Sequence, residues 1–299
     1  MLSQAVTEFG APLQPIESPT PTPTGTEILL KVHNAGVCHS DVHIHEGFFD
    51  LGGGNKLPMA NVKLPHTMGH EIEGEVVAVG PDVEDIKIGA RYAAFPWIGC
   101  GKCASCLRGE ENLCVGGPRQ LGCSNGCPGG YATHVIVPHP KYLIDYGNTD
   151  PALAADIDNE KLAAAKKAGA SATYNTANPD AAKQLMSDTG GGAYAVVDFV
   201  GSEKTFAFAS KTVRRGGKIV IVGLFGGAMQ MPLPMFPLRT ISIGGSFVGS
   251  LDETNEMMAL VRAGKVDPIP YTKRPLAQAN AALNDLVHGK VTGRVILTP

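Results

Sequence analysis

The sequence predicts a chain of two kinds: a β part folded as a partly open barrel, followed by an α/β part built on a doubly wound parallel sheet. Three observations carry this. The early stretch "EIEGEVVAVG" (71–80) alternates apolar and charged residues with the period of a half-buried strand. The later runs "YAVVDFVG" and "GKIVIVGLFG" are near-continuously apolar, as in strands buried on both faces of a parallel sheet. Between them, "DNEKLAAAKKAGA" (158–170) has the period and the punctuation of a helix.

Taken in order, "PIESPTPTPTGT" reads as an extended surface loop, because successive prolines forbid helix. "TEILLKVHNAG" places Ile28, Leu30 and Val32 on one strand face. In "EIEGEVVAVG", Ile72, Gly74, Val76 and Ala78 turn inward and Glu71, Glu73 and Glu75 outward. From about residue 150 strands alternate with helices. The first helix takes Asp158 or Asn159 as N-cap, buries Leu162, Ala165 and Ala168, and stops at Gly169. "RTISIGGSFVG" is a further strand, "LDETNEMMALVRAGK" a helix and "TGRVILTP" a closing strand. The expected domains are 1–150 with 268–299, and 151–267.

At 299 residues and 43% hydrophobic, the chain can bury a sizeable core. A net charge of −3 without a basic block argues against nucleic acid or an anionic membrane as partner. No apolar run approaches the roughly 20 residues of a spanning helix. The N-terminus has neither the basic start nor the apolar core of a secretory signal. A soluble cytoplasmic protein is expected, and a reducing compartment would not keep its seven cysteines as disulfides.

Four of those cysteines form "CGKCASCLRGEENLC", with Cys100, Cys103, Cys106 and Cys114 spaced C-x2-C-x2-C-x7-C in a lobe over 96–116. Four thiolates make a closed tetrahedral zinc site, structural in role. An iron–sulfur cluster is the rival reading, without a redox-partner signal to support it. Cys123 and Cys127, in a glycine-rich loop, read as two free thiols rather than a pair and are assigned no role.

"GVCHSDVH" and "HTMGHEIEGEV" supply Cys38, Ser40, Asp41, His43, His66, His70 and Glu71. A Cys and a His at the mouths of two strands can hold an ion with one position open, as catalytic zinc requires. Asp41 is placed to orient His70 through its second ring nitrogen. The pattern Gly69-His70-Glu71 through Gly74, Val76 and Gly80, together with the four-cysteine lobe, closely resembles the zinc-dependent alcohol dehydrogenases of the medium-chain dehydrogenase/reductase superfamily.

The resemblance implies a GroES-like catalytic domain and a Rossmann-type nucleotide-binding domain, with NAD and both structural and catalytic Zn2+. It implies that Cys38 and His70 hold catalytic zinc and that Glu71 can approach it. Ser40 would accept the alcohol proton, His43 would pass it to solvent, and Trp97 would wall the substrate pocket. It further implies that Asp156 and Lys161 meet the adenosine ribose. Val222, Gly223, Leu224 and Val248 would meet the nicotinamide, and Arg294 the pyrophosphate.

One departure is large. The G-x-G-x-x-G turn expected about 20 residues before the ribose-binding acid is absent ahead of Asp156. By the resemblance, about fifty residues are wanting at Ala155–Asp156, and with them two strands, the phosphate cradle and the third catalytic zinc ligand, usually Cys. Either the sequence skips residues that the protein has, or the protein lacks them; the continuous numbering favours the second. Asp41, Glu71 or His66 would be poor substitutes as ligands.

The leading expectation is hydride exchange between NAD and a primary or secondary alcohol, or its aldehyde or ketone. The alternative is a non-catalytic or impaired zinc-binding scaffold of the same family. A zinc-ribbon nucleic-acid binder fits the cysteine spacing alone, but not the charge. The family resemblance implies a homo-oligomer, dimer or tetramer.

Overall fold

The structure is a computed structural model that describes residues 1–60, 62–117, 119–124, 126–146, 159–167, 170–266 and 270–299. The chain forms two units. The first comprises Met1–Gly47, Met59–Ala154 and Gly249–Pro299, the second Phe48–Pro58 and Ala155–Val248.

In the first unit a seven-stranded sheet runs in the order Leu143–Ile144, Arg91–Ala94, Glu71–Val79, Ile28–Gly36, Arg294–Thr298 and Tyr271–Pro275. The strand His134–Val137 also pairs with Ile28–Gly36. All pairings are antiparallel except that of the last two strands. A three-stranded sheet, Gln14–Glu17, Leu2–Val6 and His66–Thr67, accompanies it. The larger sheet is mixed, and among the described residues neither sheet closes into a barrel. The central strand Ile28–Gly36 is buried along nearly all its length, Lys31 being the exposed position. Its apolar residues meet Ile72, Val76, Val135 and Val295 in one core.

Two sequence expectations change here. Gln14–Glu17 pairs with Leu2–Val6 as a strand, so the proline-rich loop begins only at Ser18. Glu73 is buried rather than solvated. It accepts hydrogen bonds from Arg91 Nε and Asn34 Nδ2 at 2.7 and 2.6 Å and from Tyr146 Oη at 2.6 Å. A carboxylate with this many donors can be buried on the face that alternation assigns to solvent.

The second unit holds a hairpin, Phe48–Gly52 with Asn55–Pro58, and a parallel three-stranded sheet in the order Ala193–Asp198, Val213–Ile221, Ser242–Gly245. The helix Glu203–Thr212 connects the first two of these parallel strands and buries Phe206 and Ala209 against Val213 and Ile219. Ser202 caps it, accepting a hydrogen bond from the Thr205 N–H. The helix Asn159–Lys167 leaves Leu162 and Ala165 half-buried.

The expectation that "YAVVDFVG" is buried on both faces is not met. Tyr194 is 58% exposed and Val197 48%. The strand Ala193–Asp198 is the edge of a small sheet, with no neighbour beyond it among the described residues. Asp156, Asp158, Ala168, Gly169 and the Ala155–Asp156 junction lie outside the described residues. No helix among the described residues is long and apolar enough to cross a membrane.

Candidate metal centres and active site

The base of the cysteine lobe is closed by antiparallel pairing of Trp97–Ile98 with Arg119–Gln120. The short helix Ala104–Leu107 and the 3-10 turn Glu111–Leu113 then fold the chain so that all four sulfurs face each other. Cys103 and Cys106 are 3.4 Å apart; Cys106 lies 3.9 Å from Cys100, and Cys114 lies 3.9 Å from Cys103. Ligands about 2.3 Å from one zinc sit at tetrahedral edges of about 3.8 Å. None of the four is in a disulfide. A multi-iron cluster places iron and sulfide among its thiolates and would hold them further apart, so the donor set fits a single ion. Backbone N–H groups of Cys106 and Val115 draw the Cys103 thiol down to about 6, whereas desolvation pushes Cys106 up to about 12. Buried Glu111 pins the lobe from below, accepting from Gly99 N at 3.3 Å and pairing with Lys141.

The second centre arises from strand register. Gly36 pairs with Glu71 across adjacent antiparallel strands, which brings Cys38, just past one strand, beside His70, just before the other. A Cβ at Gly36 would stand 2.9 Å from Glu71 Cβ and 2.1 Å from its Oε2, so a larger residue there would push the Glu71 side chain aside. One donor atom from each of Cys38, His70 and Glu71 lies within 4.8 Å of the other two. Thiolate and imidazole are the donors zinc favours, and this set fits a divalent cation.

Asp41 organises the centre from beneath. It is completely buried, and its carboxylate accepts from Cys38 N at 2.9 Å, Gly69 N at 3.3 Å and Tyr131 Oη at 3.0 Å. Its Oδ1 lies 3.4 Å from His70 Nδ1. Burial opposes ionisation of Asp41, but the charge and hydrogen bond of His70 outweigh it and hold the carboxyl below its ordinary value. Burial likewise opposes protonation of His70, yet Cys123 and Asp41 raise it well above the ordinary imidazole value. The Cys38 thiol, which burial would push up, is brought down to about 7 by His70.

The other expected residues divide by unit. Ser40 Oγ lies 3.9 Å from Cys38 Sγ, and His43 follows one turn later on the helix His39–Glu46, buried. Trp97 packs in the core. His66 is engaged elsewhere, its Nε2 2.9 Å from the Gly122 carbonyl. Arg294 faces Glu71, its Nε donating to Oε2 at 3.1 Å and its second nitrogen to Oε1. In the second unit Lys161 is buried on the helix Asn159–Lys167. Val222 N and Gly223 N donate to the Asp198 carbonyl, and Leu224 and Val248 are exposed.

One residue escaped the sequence reading. Cys123 Sγ lies 3.5 Å from His70 Nδ1. Burial pushes its thiol up, with His70 opposing. Nothing local marks it, because its neighbourhood is made by a contact between loops 53 positions apart.

Comparison with known proteins identifies the surroundings. Residues 24–146 match the alcohol dehydrogenase GroES-like domain family and residues 150–263 the zinc-binding dehydrogenase family. The chain is 34% identical to an NAD-dependent alcohol dehydrogenase of Sulfurisphaera tokodaii, with all of both chains covered. This chain belongs to the zinc-dependent alcohol dehydrogenases. An NAD-dependent alcohol dehydrogenase of Saccharolobus solfataricus is also 34% identical over all of both chains. A crystal structure of an NAD-dependent alcohol dehydrogenase superposes with a TM-score of 0.87 at 27% identity, again over the whole of each chain. The Sulfurisphaera tokodaii alignment runs over 352 positions against the 299 residues here, a difference of 53 positions without a residue of this chain.

Proposed function

We propose that this chain is an NAD-dependent alcohol dehydrogenase, exchanging hydride between a primary or secondary alcohol and NAD, with the aldehyde or ketone as product. The observation that carries the reading is the approach of Cys38, His70 and Glu71 within 4.8 Å, separate from a four-cysteine cluster. Cys38, His70 and Glu71 would hold zinc, which would supply Lewis acidity at the substrate oxygen, and bound NAD would supply the hydride acceptor. The remaining steps belong to the chain's own side chains. Cys38 binds as thiolate, a form its value of about 7 makes accessible near neutrality. Asp41 fixes the His70 ring. Ser40 takes the alcohol proton and hands it to His43, three residues on along one helix face.

The metals belong to 1–150 with 268–299, and NAD to 151–267, where Asp156, Lys161, Val222, Gly223, Leu224 and Val248 bind it; Arg294 receives the pyrophosphate. The protein acts in the cytoplasm as a homo-oligomer. Reduction of NAD followed spectrophotometrically with short primary and secondary alcohols tests the activity. Turnover with any of them supports the reading, and none, in protein with both metal sites filled, contradicts it.

The 53 positions without a residue favour a second reading, a zinc-binding scaffold that has lost turnover. Titration with NADH separates the two: a scaffold produces no change in protein or nicotinamide fluorescence.

A further inference from the structure

The two oxygens of Asp41 are divided between partners. Oδ1 lies 3.4 Å from His70 Nδ1 and accepts from Gly69 N at 3.3 Å. Oδ2 accepts from Cys38 N at 2.9 Å and from Tyr131 Oη at 3.0 Å. His70 Nδ1 has a second neighbour in Cys123 Sγ, at 3.5 Å. A carboxylate is a much stronger acceptor than a thiol, so Asp41 orients the ring as long as Oδ1 stays turned towards it. The terminal torsion of an aspartate is broad, and a single hydrogen bond from Cys38 N leaves the carboxyl free to swing. A second donor on Oδ2 removes that freedom.

Tyr131 is that donor, and its surroundings hold it to the task. The side chain is fully buried. Its ring lies against Gly69, at φ +93°, where a Cβ would stand 2.5 Å from Tyr131 Cδ1. Tyr131 N donates to the Met68 carbonyl at 3.0 Å, Gly130 N to that of Gly69 at 2.8 Å, and the Tyr131 carbonyl accepts from Gln4 N at 2.8 Å. The phenol is thus anchored to the segment that leads into His70. The carboxylate it grips belongs to the helix His39–Glu46, which starts just after Cys38. A hydroxyl also fixes Asp41 without neutralising it, as lysine or arginine would, so the negative charge still acts on His70.

We propose that Tyr131 is a positioning residue of the second metal centre, bracing the Cys38 segment against the His70 segment and turning Asp41 Oδ1 to the imidazole. The proposal rests on the reading of Cys38 and His70 as a metal-binding pair. Tyr131 acts through Asp41 and does not itself meet the ion.

The test uses the full chain with zinc in the four-cysteine lobe and Co2+ at the second centre, reading cobalt affinity by chelator competition and the visible cobalt spectrum, which follows ligand geometry. Tyr131→Phe removes one hydroxyl and keeps the ring. It is expected to weaken cobalt binding about tenfold and to shift the spectrum, with the lobe's zinc retained. In an Asp41→Asn background the same change is expected to cost little further, because the two residues act in series. Tyr146→Phe removes an equivalent hydrogen bond, to buried Glu73, and is expected to leave affinity and spectrum unchanged. Unchanged cobalt binding in Tyr131→Phe, an undiminished loss in the Asp41→Asn background, or an equal loss in Tyr146→Phe overturns the proposal and leaves the metal pair standing. A wild-type chain that takes up no metal at the second centre overturns both.

Discussion

Asp41 Oδ1 stands 3.4 Å from His70 Nδ1, and the same carboxylate accepts a hydrogen bond from the backbone N–H of Cys38. One buried anion therefore positions both residues of the metal pair. Replacing it changes the geometry of the centre without removing a donor. Asp41→Asn is expected to weaken metal binding at the second centre by about 10–100-fold, measured by chelator competition, while the cysteine lobe holds its zinc. Equal affinity in the variant would show that Asp41 serves folding alone.

Metal uptake at this centre displaces protons. His70 is raised above the ordinary imidazole value and Cys38 sits at about 7, so both carry protons on the acidic side of neutrality. Affinity is accordingly expected to rise with pH, about tenfold per unit for each proton displaced. The sign for stability without metal is opposite. A raised His70 contributes stability below the ordinary imidazole value and loses it as pH rises through its folded value. Zinc titrations from pH 6 to 8, with a pH indicator counting released protons, check both.

Glu73 tests the buried network beside the sheet. Its carboxyl is held below the ordinary value: burial opposes ionisation, and the donors Arg91, Tyr146 and Asn34 prevail. A depressed carboxylate contributes stability above its unfolded value and loses it as pH falls. Glu73→Gln keeps the shape but is expected to cost about 1–3 kcal/mol in denaturant unfolding at pH 7, with a smaller loss on going to pH 4 than the parent shows.

The lobe gives a separate prediction. Cys103→Ser removes one of four converging thiolates, and metal analysis should show the loss of one zinc per chain together with a lower Tm. Activity per remaining catalytic metal should fall much less than zinc content.

Much of this architecture could be read locally. The spacing of Cys100, Cys103, Cys106 and Cys114 is a short-range property, and so are the strand periods around Ile28 and Ile72. What eluded the sequence depends on partners distant along the chain. Glu73 looks solvent-facing until Arg91, Tyr146 and Asn34 converge on it. Tyr194 and Val197 look buried, but their strand has no further neighbour among the described residues. Arg294 pairs with Glu71, 223 positions away, a partner that nothing near either residue announces. Cys123 carries no local signal, since its neighbour His70 comes from a different loop.

The most direct measurement of the central claim is zinc content per chain in the wild type and in Cys38→Ser. If Cys38 and His70 share a cation, the wild type binds two zinc ions and Cys38→Ser keeps only that of the cysteine lobe. A single zinc in both proteins would contradict the account.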